Sequence, residues 1–198
     1  MIEVEIKIQI SDPISMRKKF ESNYGSYKFS LLHEDTYYNM PKGLRDFKET
    51  DEALRLRKSI KFNKNSKNKD TKTDYFLTYK GKKIDTLTKT REEIDIKIEN
   101  IEKMKEIFGL LGFQEVLTVK KERELFLFQY KNYNIEALID FLPALGQYFV
   151  EVEYLSDSKK EIEESREMLF EFLDLFGIHK EDSIKKSYLE LILENSKG

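Results

Sequence analysis

Ionisable residues of one sign recur at alternate positions along this chain. Acids stand at Glu3 and Glu5 and again at Glu151 and Glu153; bases stand at Arg55 and Arg57, at Lys80, and at Lys121 and Arg123. Clustered Lys and Arg match phosphate oxygens, the Arg fork in two-pronged fashion. Clustered carboxylates match Mg²⁺ or Mn²⁺, hard cations that take oxygen ligands. Other chemistries lack their residues. With no cysteine, disulfides, zinc-thiolate sites and thiol nucleophiles are excluded. The two histidines, His33 and His179, are far apart in sequence and have no second ligand at metal-binding spacing, so both are expected at the surface.

These residues need strands to hold them. The stretch 2–10 alternates Ile2, Val4, Ile6, Ile8 and Ile10 with Glu3, Glu5, Lys7 and Gln9. Arg55 and Arg57 alternate with Leu54 and Leu56, Thr78 and Lys80 with Leu77 and Tyr79, and Glu93, Asp95 and Lys97 with Ile94, Ile96 and Ile98. Lys121 shares a face with Arg123, Glu136 shares one with Asp140, and Glu151 and Glu153 oppose Val150 and Val152. Strands are expected at 2–10, 27–39, 53–60, 75–80, 89–98, 115–130, 133–141 and 147–155. Helices are expected at 12–24, at 100–111 behind an Asn100 cap, at 158–176 behind the capping box Ser158 to Glu161, and at 182–194. The Lys/Asn-rich segment 61–74 reads as a mobile hairpin loop, and Leu145-Gly146 as a turn whose glycine supplies an unusual backbone angle.

Alternation by itself suits a sheet with one solvated face. Here, however, the polar rows are nearly all ionised and are grouped by sign, and the helices need the apolar rows to dock on. A sheet curled with its helices outside turns the charged rows inward. A barrel of about eight strands has an interior that holds side chains or one small ligand. Many charges in such a lumen are tolerable only if they pair or meet a ligand and its metals. The expectation is an α+β chain, a closed antiparallel β-barrel with flanking helices, forming a single domain over 1–198. The net charge of −2 gives no reason to expect nucleic acid or an anionic membrane as partner. The acidic start of the chain and the lack of a long apolar run point to the cytoplasm.

The residues also resemble a known family. Glu3-Val-Glu5-Ile-Lys7 is similar to the ExExK signature of the CYTH superfamily, the CyaB-type class IV adenylyl cyclases and thiamine triphosphatases, also called triphosphate tunnel metalloenzymes. Further motifs follow in order: Asp35-Thr-Tyr37-Tyr38, Ala53-Leu-Arg55-Leu-Arg57, Leu77-Thr-Tyr-Lys80-Gly81, Arg91-Glu-Glu93, Lys121-Glu-Arg123, Asp140, Leu145-Gly146, Glu151-Val-Glu153 and Ser187-Tyr188. The resemblance implies a triphosphate tunnel. Its substrate-binding bases would be Lys7, Arg55, Arg57, Lys80, Lys121 and Arg123. Its metal-holding acids would be Glu3, Glu5, Asp140, Glu151 and Glu153, with Glu93 as a further inward acid, and its metal Mg²⁺ or Mn²⁺. Glu5, Lys7, Lys80, Arg123 and Glu153 are the implied catalytic set. A base near the last helix, Lys185 or Lys186, would close the tunnel; Tyr37, Tyr38 and Tyr188 would pack or line its rim. The implied reaction is ATP to cyclic AMP and pyrophosphate by a monomer or homodimer. The alternative is hydrolysis of thiamine triphosphate, inorganic tripolyphosphate or a nucleoside triphosphate. A non-catalytic binder would require a broken acidic side, which this sequence does not have.

Overall fold

The structure is a computed structural model that describes residues 2–65, 71–84, 88, 90–156 and 161–196. Its strands are β1 (Ile2–Ile10), β2 (Ser26–Asn39), β3 (Ala53–Phe62), β4 (Lys72–Lys80), β5 (Arg91–Ile98), β6 (Gln114–Tyr130), β7 (Tyr133–Leu142) and β8 (Gln147–Ser156). They close into an antiparallel barrel in the order β1-β5-β4-β3-β2-β6-β7-β8, as the alternation predicts. The helices are α1 (Pro13–Ser22), α2 (Ile101–Leu110), α3 (Ile162–Asp174) and α4 (Tyr188–Asn195).

The apolar rows bury outward against these helices. Val4, Ile6 and Ile8 of β1 join Phe126 and Phe128 of β6, Ile135 and Ile139 of β7 and Val150 and Val152 of β8. Met16 and Phe20 of α1 and Met168, Leu169 and Phe172 of α3 cover them. Phe20 is wholly buried and meets Phe126, Phe128 and Phe176 edge-on, a favoured aromatic geometry. On the other flank α2 lays Ile101 and Phe108 over Leu54, Leu56, Tyr75 and Leu77. Asp12 caps α1 by accepting from the Ile14 and Ser15 amides, and Asn100 caps α2 through the Lys103 amide. Gly146 has φ +63, the left-handed angle expected of that turn.

Four expectations change. The predicted helix 182–194 is divided: a 3-10 turn at Lys180–Asp182, an extended run, then α4 from Tyr188. Ser183 bridges Ile8, and the Ile184 amide donates to the Lys7 carbonyl at 2.7 Å, so strand-type pairing wins over helix there. Ser187 then restarts the helix in a capping box with Glu190. The helix expected from 158 begins at Ile162; Ser158 lies outside the described residues, and Glu161 caps nothing with its side chain. His33 is only 4% exposed, because its place in β2 shares the inward parity of Asp35. Of the 61–74 loop, residues 66–70 lie outside the described residues, 61–62 extend β3 and 72–74 extend β4, leaving 63–65 and 71 outside the strands. Among the described residues no helix is long and apolar enough to cross a membrane.

Candidate functional site

Strand register decides which charges meet. Asp35 of β2 pairs across from Arg57 of β3, Lys80 of β4 from Glu93 of β5, and Arg123 of β6 from Asp140 of β7. Lys7 lies opposite Glu151 in the β1–β8 ladder, but Glu5 lies opposite Glu153, a like-charge pair that a sheet avoids unless something offsets it.

The interior sorts into three groups. In the first, Arg57 donates to both Asp35 oxygens at 2.6 and 2.8 Å, and Arg55 lies 3.6 Å from the same carboxylate. Burial opposes ionisation of Asp35, yet Arg57 and Arg55 hold its pKa well below the ordinary 3.8. In the second, Arg123 grips Asp140 with two bonds of 2.7 Å, donates to Glu151, and reaches Glu153 at 3.5 Å. Lys121 stands 3.9 Å from Asp140; burial, then Arg123, lowers its pKa to about 8. In the third, Lys80 donates to Glu93 and lies 3.8 Å from Glu3. Burial disfavours the Glu93 carboxylate, but Lys80, a hydrogen bond with Glu3 and Arg55 bring its pKa to about 2. Glu3 itself is pushed well up, by burial and then by Glu153.

Glu5, Glu151 and Glu153 bring carboxylate oxygens within 4.8 Å of one another. Burial raises Glu153 to about 7 against the pull of Arg123, with Glu5 and Glu151 adding to the rise. Three carboxylates so placed form an all-oxygen donor set of the kind that fits a hard divalent cation.

A cavity of about 680 Å³ connects these groups with one mouth of the barrel. Arg55, Arg57, Lys80, Lys121 and Arg123 line it, as do Glu3, Glu5, Glu93, Glu151 and Glu153. Two expected site residues stand behind the wall. Lys7 is fully buried, donates to the Lys186 carbonyl at 2.9 Å and lies 3.6 Å from the centre of the Tyr188 ring. Asp140 is also fully buried, committed to Arg123 and to the Tyr188 hydroxyl at 2.8 Å, and is not among the three clustered carboxylates. Neither Lys185 nor Lys186 lines the cavity; both are exposed, and the Lys186 ammonium meets Glu194 at 2.8 Å. His179, exposed as expected, sits 3.2 Å from Asp174.

Several lining groups were not singled out from the sequence. Arg91 and Asp95 share β5 parity with Glu93; Arg91 stands in a quoted motif and Asp95 in a charged row, but neither carries an expected site role. Asp35 sits in a motif, and its inward parity with Tyr37 was readable. The rim residues Phe47, Leu189 and Leu193 come from the 39–53 connection and from α4, and no strand pattern marks them.

A closed antiparallel barrel with its helices outside and a tunnel of facing bases and acids defines a class of charged-tunnel proteins. The chain belongs to the CYTH domain family, whose profile matches residues 1–188. A Methanocaldococcus jannaschii protein named "Putative adenylate cyclase" is 44% identical over 195 residues, which cover 96% of this chain and 98% of that one. A Pyrococcus horikoshii protein of solved structure is 39% identical with a TM-score of 0.81, covering 98% of this chain and 99% of that chain. A Vibrio parahaemolyticus structure named a putative adenylate cyclase is 19% identical with a TM-score of 0.76, covering 98% of each chain; its likeness is one of fold.

Proposed function

We propose that this chain is a metal-dependent enzyme acting on a triphosphate, and that it converts ATP to cyclic AMP and pyrophosphate. The observation that carries the reading is one cavity in which Arg55, Arg57, Lys80, Lys121 and Arg123 face the Glu5, Glu151 and Glu153 cluster. Family membership and the name of the M. jannaschii relative support a triphosphate substrate and the cyclase reaction. The apolar rim of Phe47, Leu189 and Leu193 offers a surface for an organic group beyond the phosphates.

In this reading the five bases clamp the β- and γ-phosphates and hold the α-phosphorus before the 3′-hydroxyl. The attack then needs positioning rather than a covalent protein intermediate. Arg123, oriented by Asp140 and Glu151, and Lys121 stabilise the charge that develops on the departing pyrophosphate. Lys7, anchored to the Lys186 carbonyl, ties the α4 segment to the clamp from behind. A divalent cation held by Glu5, Glu151 and Glu153, with Glu3 close by, would supply Lewis acidity toward the hydroxyl and the phosphate oxygens.

Hydrolysis of a triphosphate uses the same clamp, with water in place of the 3′-hydroxyl, so the assay must separate products. ATP, GTP, thiamine triphosphate and tripolyphosphate are each incubated with Mg²⁺ or Mn²⁺ and the products resolved by chromatography. Cyclic AMP without orthophosphate is the expected result. Orthophosphate alone replaces the cyclase by a triphosphatase, and no turnover of any substrate overturns the enzyme reading.

A further inference from the structure

Asp140 is fully buried, and one of its oxygens is contested. Arg123 donates to Oδ1 through Nε and to Oδ2 through Nη2, each at 2.7 Å. The Tyr188 hydroxyl donates to the same Oδ2 at 2.8 Å. A carboxylate oxygen offers about two acceptor sites, so Oδ2 is full. Lys121 stands 3.9 Å from that oxygen, beyond hydrogen-bond distance. The other four bases of the clamp are engaged: Arg57 with Asp35, Arg55 with the Thr78 hydroxyl at 2.9 Å, Lys80 with Glu93, and Arg123 with Asp140. Of the five, Lys121 alone makes no hydrogen bond among the described residues, and it lines the cavity.

Long-range pairing puts Tyr188 at this spot. Ser183 and Ile184 pair with β1, and the capping box of Ser187 and Glu190 then starts α4 at Tyr188. The ring meets Phe149 edge-on, with the Lys7 ammonium 3.6 Å and the Lys121 ammonium 5.2 Å from its centre. Packing on Phe149 asks only for a ring; the hydroxyl answers Asp140. Burial and then Asp140 push the phenol well above its ordinary pKa of 10, so it stays a donor. We propose that Tyr188 is a positioning residue: it occupies the Asp140 oxygen and so keeps the Lys121 ammonium available to a phosphate of the substrate. The proposal rests on the triphosphate reading of the tunnel. Without the hydroxyl, Oδ2 has an empty acceptor site where solvent does not reach, and an unmade hydrogen bond there is costly. The ammonium 3.9 Å away is the donor at hand to fill it, and Lys121 is then spent on the wall.

Tyr188→Phe keeps the ring and deletes the hydroxyl. In a crystal of the ligand-free variant, Lys121 Nζ is expected within about 3 Å of Asp140 Oδ2. Calorimetry with tripolyphosphate and Mg²⁺ should show roughly tenfold weaker binding than wild type, the size of one hydrogen bond to a charged group. In a Lys121→Met background the same substitution should change affinity by less than about twofold, because the ammonium it would divert is already gone. A role in packing alone would weaken both backgrounds alike. Lys121 left at its wild-type distance, unchanged affinity of Tyr188→Phe, or an equal loss in the two backgrounds overturns the proposal and leaves the triphosphate reading standing. A wild type with no affinity for tripolyphosphate removes that reading and the proposal together.

Discussion

Asp35→Asn tests the charge logic of the tunnel most directly. The substitution keeps shape and one acceptor oxygen but leaves Arg57, at 2.6 Å, and Arg55, at 3.6 Å, without their carboxylate. The Asp35 side chain is 2% exposed, so water screens little of the change. Breaking a buried pair by removing one partner costs about 3–5 kcal/mol. Arg57 is 15% exposed and the asparagine oxygen still accepts, which places the expected loss near the lower end, about 3 kcal/mol. For a chain of this size that is a fall in Tm of about 6–12 °C. The sign with pH follows from the shift. The folded pKa of Asp35 lies below its ordinary 3.8, so its contribution is present in full above that value and is lost as pH falls toward the folded pKa. The gap between wild type and variant should therefore be widest at neutral pH and shrink below about pH 4. Tripolyphosphate supplies the missing negative charge, and ligand that binds the fold stabilises it by mass action. Urea unfolding at pH 7 with and without tripolyphosphate reads both effects. Equal stability of the two proteins in phosphate-free buffer, or less rescue of the variant than of wild type, would refute the reasoning.

Glu5→Gln and Glu153→Gln each remove a carboxylate from the close cluster and should abolish turnover with Mg²⁺ or Mn²⁺ while the fold persists by circular dichroism; near-normal activity in either would end the metal assignment. Phe20→Ala deletes a ring that stands 5.0–5.4 Å from Phe126, Phe128 and Phe176 and should destabilise the fold by about 3–5 kcal/mol in urea unfolding. Gly25→Ala would put a methyl 2.4 Å from Phe128 Cζ and 2.7 Å from the Phe20 carbonyl oxygen, so a loss of about 1–3 kcal/mol is expected on the same measurement. A substitution there that leaves Tm unchanged would show that Phe128 moves aside freely.

The sequence alone settled which side chains share a face. Strand geometry fixes a period of two, so the parity of Glu3, Glu5 and Lys7, of Arg55 and Arg57, and of Glu151 and Glu153 is a local property that needs no partner. From parity, the docking needs of four helices and the ordered motifs came the inward charges, the closed barrel and the family. Partnership is not local. That Asp35 answers Arg57, that Asp140 is spent on Arg123 and Tyr188, and that Glu5, Glu151 and Glu153 converge depend on ladder register between distant segments. The same holds where long-range contacts overrode local preference: His33 was carried inside by its strand, and Ser183 and Ile184 left the helix to pair with β1 at Ile8 and Lys7. Periodicity assigns faces, and only the folded chain, through register and closure, decides what each face meets.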